Sequence, residues 1–288
     1  MNIIETDNKS TLKTVSSSIG HLLLDMGKIT DKDAERILKF QKEKAMRFGE
    51  AAMALGFVTM EDINQALSYQ FDYPYLTPDK ASFNSGLIAA FDPFSKEVES
   101  LRSLRTQLIL RWFERGFKSI AISSATEEDG ASLLAANLAI VFSQLGERTL
   151  LIDANLRQPT QHKLFRLSNN QGLSDILVGR ASTDVVVRIP SLLNLSILSA
   201  GATPPNPQEL LNKEALDDLL KVFAEHYDVI ILNTSPILAS SDAQIVAKKV
   251  GGVLISTLQN KTALKDTQEA YEECRSLGID VQIALNAG

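Results

Sequence analysis

The sequence predicts an α/β fold in which a doubly wound, mostly parallel sheet follows a small helical domain built as a tandem repeat. From about residue 95 onward, short apolar runs alternate with amphipathic stretches, a pattern typical of β-α-β units around a parallel sheet. Residues 18–70 instead show helical periodicity, and their pattern recurs after 29 residues, as expected of a repeat.

Changes in composition along the chain predict four parts. Residues 1–17 are polar and aperiodic, which predicts a flexible leader. The helical repeat occupies residues 18–76, and a linker rich in Pro, Ser, Asp and Asn spans residues 77–94. Residues 95–288 form the predicted sheet domain.

Each half of the repeat is predicted to hold one helix that ends at a glycine and a second helix capped by a threonine. A shift of 29 residues superposes the glycines, caps and closing residues of the two halves: Gly20 on Gly49, Gly27 on Gly56, Thr30 on Thr59 and Gln41 on Gln70.

The apolar runs of the larger domain are short and rich in Val, Ile and Leu, so each is predicted to be a buried strand: Ser119–Ile122, Thr149–Asp153, Leu195–Leu198, Val229–Leu232, Val253–Ser256 and Val281–Leu285. The longest amphipathic stretches between them predict helices over Ser132–Leu145, Gln208–His226 and Thr262–Leu277. Ligands of such sheets bind at the carboxyl ends of the strands, so the candidate site is expected in the loops that follow them.

Composition excludes several classes of protein. The formal net charge of −6 argues against a general nucleic-acid binder, and the single cysteine, Cys274, argues against a disulfide framework. No apolar run approaches the roughly 18 residues of a membrane span. A cytoplasmic protein that binds no nucleic acid is therefore expected.

Three loops in the larger domain carry candidate chemistry. The segment from Ser123 to Ser132 (SSATEEDGAS) follows a strand and opens a helix, where backbone N–H groups and the helix dipole cradle phosphate. A second strand ends in Asp153-Ala-Asn155, and a third ends in Asn233-Thr-Ser235.

With these loops, residues 95–288 resemble the bacterial tyrosine kinases of capsule and exopolysaccharide synthesis, which are similar to the MinD/ParA P-loop ATPases. The segment Pro204-Pro-Asn-Pro-Gln-Glu-Leu-Leu211 and the spacing Glu99-x-x-Arg102-x-x-Arg105 also match that family. The resemblance implies that ATP and Mg²⁺ are cofactors. It also implies that a membrane chain-length-determinant protein is the partner and that the chain forms a homo-oligomer, associating with the membrane through its partner.

The resemblance assigns roles residue by residue. It places the nucleotide at Gly130, Ala131, Ser132, Leu133 and Asn286. The catalytic acidic positions fall on Asp153, Asn155 and Asn233, the metal on Ser132 and Asp153, and self-association on Glu99, Arg102 and Arg105.

Three of these positions depart from the family pattern in the direction that removes charge. Ala131 stands where the family has Lys or Arg, and Asn155 and Asn233 stand where it has Asp. A charge-assisted phosphate contact contributes about 1.5–3 kcal/mol, and Glu127, Glu128 and Asp129 are expected to face and repel a triphosphate. A catalytically impaired regulatory subunit is therefore predicted, with an active tyrosine autokinase and ATPase as the alternative.

The repeat resembles the amino-terminal domain of type II secretion and pilus ATPases, one branch of which binds cyclic di-GMP. The implied binding residues are Ser18, Gly20, Gly27 and Gln41 in the first half and Arg47, Gly49, Gly56 and Gln70 in the second. Ser18 stands where that pattern has its first arginine. Two interpretations stay open, a cyclic di-GMP-responsive adaptor and a helical docking module whose glycines only end helices.

Overall fold

A computed structural model describes residues 18–70, 83–127, 129–192 and 194–286. The chain divides into two compact units between Tyr73 and Pro74. The predicted leader and residues 77–82 of the predicted linker lie outside the described residues.

Among its described residues, 18–70, the first unit contains four helices: α1 (Ile19–Asp25), α2 (Asp31–Lys44), α3 (Phe48–Ala54) and α4 (Met60–Gln70). Thr30 and Thr59 lie at the predicted caps. The hydroxyl of Thr30 accepts the Asp33 N–H at 3.3 Å, while the Asp33 carboxylate accepts the Thr30 N–H at 3.0 Å. Thr59 and Asp62 repeat this pairing at 3.2 and 2.9 Å, which satisfies N–H groups that a helix start leaves free.

Two kinds of glycine serve these helices. Gly27 and Gly56 follow α1 and α3 with φ of +67° and +73°, the left-handed conformation that ends a helix and favours glycine. Gly20 lies inside α1 for a different reason, because a Cβ there would stand 3.1 Å from the ring of Phe48. Four helices thus share one apolar core that includes Leu23.

The second unit is built on a seven-stranded sheet: β1 (Ser119–Ser124), β2 (Thr149–Asp153), β3 (Val187–Arg188), β4 (Leu195–Leu198), β5 (Val229–Asn233), β6 (Gly252–Leu258) and β7 (Asp280–Asn286). The strands lie in the order β3-β4-β2-β5-β1-β6-β7. Only the β3–β4 pairing among them is antiparallel. The predicted α/β fold class with a mostly parallel sheet is confirmed.

Helices connect the strands and cover the sheet: α5 (Ile88–Phe91), α6 (Lys96–Arg111), α7 (Ala131–Gln144), α8 (Gln161–Leu164), α9 (Leu173–Leu177), α10 (Pro207–Asn212), α11 (Glu214–His226), α12 (Asp242–Val250) and α13 (Leu264–Ser276). Along β1, Ile120 and Ile122 enter one apolar core and Ala121 the other. A strand buried on both faces has an uninterrupted apolar run, which is the pattern that the sequence displays.

The structure differs from the sequence prediction in three places. Strand β3 was not predicted, because its two exposed residues carry no apolar run. The helix predicted over Gln208–His226 breaks at Lys213, whose backbone is extended. Residues 83–94 of the predicted linker belong to the folded second unit, because Leu87, Ala89 and Ala90 are fully buried.

Within the described ranges, no helix is both long and apolar enough to cross a membrane.

Candidate functional site

A cavity of about 370 Å³ opens where β1, β2 and β5 end. Its walls come from the end of β1 and the loop after it, the start of α7, the loop after β2 with the end of α8, the loop after β5, and one residue from before β1: Asn84, Ser124, Glu127, Gly130, Ala131, Ser132, Leu133, Asn155, Arg157, Gln158, Thr160, Leu164, Thr234, Ser235, Pro236 and Ala239. The loops lie where an α/β sheet binds its ligands. Four of the five residues assigned to the nucleotide are among them.

The loop between β1 and α7 presents a helix N-terminus to this cavity. Gly130 precedes α7 with φ of +71°, so the chain turns and residues 131–133 form the first helical turn. N–H groups in a first turn have no partner within the helix. Arg157 is the only arginine or lysine among the described lining residues, so Ala131 leaves the loop without its own cation.

Asp129 does not face the cavity, and the expectation that three carboxylates repel a phosphate ligand is corrected here. Its side chain is buried and accepts the Thr126 N–H at 2.9 Å and the Thr262 hydroxyl at 2.6 Å. Its role is to brace the loop against the segment after β6. Glu127 does line the cavity and accepts a hydrogen bond from Gln158 at 2.9 Å, while Glu128 lies outside the described residues.

Asp153, at the end of β2, is fully buried and binds three donors. One carboxylate oxygen accepts the N–H groups of Thr160 and Gln161 at 2.8 and 2.9 Å. The other accepts the side-chain amide of Asn233 at 2.9 Å. Burial raises the pKa of the Asp153 carboxyl, although each of these hydrogen bonds lowers it. Asp153 thus fixes the loop after β2 and ties β2 to its neighbour β5.

Asn155, the other position where asparagine replaces the family's aspartate, lines the cavity, but its side chain binds a neighbouring residue of its own loop. Its Oδ1 accepts the Gln158 N–H at 3.0 Å, which makes a tight turn. Arg157, two residues on, donates to both carboxylate oxygens of buried Asp242 at 2.7 and 3.1 Å. The one arginine at the cavity is therefore already paired with a carboxylate.

Magnesium does not fit the residues assigned to it. Both oxygens of Asp153 accept hydrogen bonds, and the Asn233 amide presents a donor where a metal needs an acceptor. Ser132 lines the cavity, whereas Asp153 and Asn233 are not among its described lining residues. No group of three or more His, Cys, Asp or Glu side chains able to hold a metal exists within the described ranges.

Some polar atoms beside Asp153 remain unpaired. The Asn233 Oδ1 and Gln161 Oε1 atoms are buried without a protein partner, while the Gln161 amide donates to the Ser132 carbonyl at 2.9 Å. Sequence reasoning missed Gln161, Thr160 and Asn84, because their contacts arise only when distant loops meet. Arg157 lies only two residues after Asn155 in the sequence and could have been found from it.

The remaining assigned residues are placed as follows. Asn286 ends β7, and its backbone pairs with Leu258 of β6. On α6, Arg102 binds the exposed Glu99 at 3.1 Å and the Pro93 carbonyl. Arg105 donates to the Val141 carbonyl at 2.6 Å, so both arginines have partners within the chain.

In the first unit, the residues assigned to cyclic di-GMP occupy equivalent positions of the two helix pairs. Ser18 and Arg47 precede α1 and α3, both exposed and without a side-chain cap bond. Gln41 and Gln70 lie near the ends of α2 and α4. Gly49, like Gly20, is close-packed, because a Cβ there would stand 3.1 Å from Ile63.

Comparison with known proteins gives a consistent result. The tyrosine-protein kinase YwqD of Bacillus subtilis is 38% identical over 193 residues, which is 66% of this chain and 81% of that protein. The tyrosine-protein kinase etk of Escherichia coli K12 is 32% identical over 205 residues, 71% of this chain but 28% of that longer protein. No protein-family model matches the chain.

Among solved structures, the kinase domain of the Escherichia coli tyrosine kinase ETK matches with a TM-score of 0.69 and 30% identity. The match covers 74% of this chain and 84% of that one.

Replacing the buried carboxylate tests how Asp153 is held. In Asp153→Asn the new side chain keeps an acceptor for the two N–H groups, and Asn233 can turn its unpaired oxygen toward the new amide. We expect unfolding at pH 7 at the wild-type temperature or above. Asp153→Leu leaves the N–H groups unpaired and is expected to cost about 1–3 kcal/mol.

The raised pKa of Asp153 fixes the direction in which protein stability changes with pH. Because the folded-state pKa of Asp153 is raised, the wild type should gain stability relative to Asp153→Asn as the pH falls through that pKa. Thermal unfolding of both proteins between pH 7 and pH 4 measures the difference. A wild type that loses relative stability on acidification would contradict this account.

Proposed function

Because the chain belongs to the family of bacterial tyrosine-protein kinases, we propose that it is a regulatory component of exopolysaccharide or capsule biosynthesis whose own phosphotransfer is impaired. It acts in the cytoplasm, forms homo-oligomers and associates with the membrane by contacting a chain-length-determinant protein. Control of polysaccharide chain length is thus exerted through assembly rather than through turnover.

The hydrogen bond from Asn233 to Asp153 carries this proposal. With aspartate at position 233, two carboxylates would stand about 3 Å apart and would require a cation or a shared proton between them. The amide replaces that cation with a neutral donor, so the pair is stable without metal. A buried amide also cannot accept the proton of an attacking hydroxyl as a carboxylate can.

Ala131 and Arg157 support the same conclusion, because neither supplies an unpaired positive charge to a bound phosphate. The loop backbone can still bind a phosphate through the first turn of α7. Arg157 is paired with Asp242, so its charge is largely offset. Loss of the loop cation alone lowers nucleotide affinity about ten- to a hundredfold.

Reversion of the altered positions tests impaired phosphotransfer. We expect the wild-type chain with Mg·ATP to yield neither phosphate release nor phosphotyrosine. Ala131→Lys should restore nucleotide affinity about ten- to a hundredfold with little turnover. Only the triple variant Ala131→Lys/Asn155→Asp/Asn233→Asp is expected to approach turnover, measured by phosphate release and anti-phosphotyrosine blotting.

The control is the triple variant that also carries Asp153→Ala, which should be inactive. Phosphotyrosine on the unaltered chain that disappears in Asp153→Ala would overturn the proposal and favour the active autokinase.

Self-association is tested best at Glu99, because it keeps most of its side chain exposed although it pairs with Arg102, whereas Arg102 is largely covered and Arg105 donates to the Val141 carbonyl. The Glu99 side chain is 68% exposed, and an intersubunit ion pair there would reverse sign in Glu99→Arg. We expect the oligomer to dissociate in Glu99→Arg but not in the matched variant Glu97→Arg, as measured by light scattering. Identical masses for the wild type and both variants would refute self-association through this helix.

Cyclic di-GMP binding by the first unit is a second candidate function. The observation that favours it is the exposed Arg47, which makes no ion pair with any described residue and precedes α3 as the resemblance requires. Ser18 gives the other half no guanidinium, and a planar guanidinium is what pairs with phosphate and guanine. The nucleotide would therefore be bound weakly and by one half.

Calorimetric titration of cyclic di-GMP into the full chain tests this candidate. We expect weak binding that Arg47→Ala abolishes and Ser18→Arg strengthens, because the second guanidinium completes the pair. Lys44→Ala serves as an exposed basic control nearby. Absence of heat for both the wild type and Ser18→Arg would leave the docking module as the function of this unit.

A further inference from the structure

Residues 83–91, here called the strap, lie against the helix that begins at the candidate site. Leu87, Ala89 and Ala90 of the strap are fully buried. Asn84 lines the cavity, and it is the one described lining residue that comes from before β1. The strap thus adds a wall to a site otherwise built by the loops of the sheet.

A single buried side chain of α7 binds the strap on both sides of its turn. Asn137 is 4% exposed. Its Oδ1 accepts the Ala89 N–H at 3.0 Å, and its Nδ2 donates to the Gly86 carbonyl at 3.0 Å. The same Nδ2 also donates to the carbonyl of Leu133, a cavity-lining residue, at 3.1 Å. Asn137 therefore joins the strap to the first turn of α7.

Further contacts fix the ends of the strap. Gln144 of α7 donates to the Ala89 carbonyl at 2.8 Å. The Asn84 N–H donates to the carbonyl of Leu164, which also lines the cavity, at 2.9 Å. Phe83 packs edge-to-face on Phe165 with ring centroids 5.6 Å apart. These contacts hold the backbone of Asn84 at the cavity wall.

Side-chain geometry leaves Asn84 with a free donor. Its Oδ1 accepts the Gly86 N–H at 2.8 Å, while its Nδ2 has no acceptor among the described residues. Gly86 permits this turn to approach α7, because a Cβ there would stand 3.1 Å from Leu133. The amide of Asn84 can therefore donate to a ligand in the cavity.

We propose that Asn84 is a ligand-contacting residue of this cavity and that Asn137 is the positioning residue that holds it there. The inference rests on the proposed function in that the ligand is a nucleotide. Nucleotide binding and docking of the strap on α7 are then linked reciprocally. A bound nucleotide stabilises the docked strap, and a strap that detaches from α7 weakens nucleotide binding.

The experiment uses the full chain, both wild type and Ala131→Lys, with Mg·ADP as the probe in isothermal titration calorimetry. In the Ala131→Lys background, Asn84→Ala should weaken Mg·ADP binding about two- to tenfold, the effect of one neutral hydrogen bond. Ser85→Ala, in the same strap but not at the cavity, should leave the affinity unchanged.

Asn137→Leu should weaken Mg·ADP binding by a similar factor and should speed hydrogen exchange at the Ala89 amide. If Asn137 acts through Asn84, the double variant should bind as weakly as either single variant, because the effects of coupled residues do not add. A merely structural Asn137 would lower the unfolding temperature while leaving affinity unchanged. Gln144→Ala, which removes one strap contact, replaces Asn137→Leu if that variant does not fold.

Each outcome decides a different point. Unchanged Mg·ADP affinity in Asn84→Ala, or additive losses in the double variant, overturns the strap inference and leaves the proposed function intact. If neither the wild type nor Ala131→Lys binds Mg·ADP while both remain folded, the nucleotide site of the proposed function fails and the strap inference falls with it.

Discussion

Asp153 carries a buried carboxylate that binds the loop after β2 and the end of the neighbouring strand β5 at the same time. Two backbone N–H groups and the Asn233 amide satisfy its oxygens. A buried carboxylate needs such partners, because an unpaired charge in the interior costs several kcal/mol. The arrangement of the loop after β2 and its attachment to the end of β5 both follow from this set of hydrogen bonds.

Helix α7 connects the loop held by Asp153 to the rest of the site. Its first turn borders the cavity, its Ser132 carbonyl accepts from Gln161, and its buried Asn137 holds the strap. Two segments that are distant in sequence, the one after β2 that contains Gln161 and the strap, are therefore fixed relative to one helix. Because a protein interior is closely packed, a substitution at one of these contacts is expected to displace the neighbouring contacts as well.

Much of the fold could be predicted from the sequence, because buried parallel strands display continuous apolar runs and helix ends display glycine and threonine. The short edge strand β3 carries no such signal. In the site, the pattern named Gly130 and Ala131, which line the cavity, but it could not orient Asp129, whose carboxylate turns toward Thr262. The direction of a buried polar side chain depends on partners that are distant in sequence. The same reason hid the strap, whose buried backbone is satisfied by Asn137.

In the proposed function, the hydrogen bond from the Asn233 amide occupies the place of a metal beside Asp153. Anomalous diffraction from crystals soaked in Mn²⁺ and ADP measures this directly, because Mn²⁺ accepts the same oxygen ligands as Mg²⁺. We expect no manganese peak at Asp153 in the wild-type protein. In Asn233→Asp we expect a peak between the two carboxylates. A manganese ion coordinated by Asp153 in the wild-type protein would show that the Asn233 amide does not replace a metal.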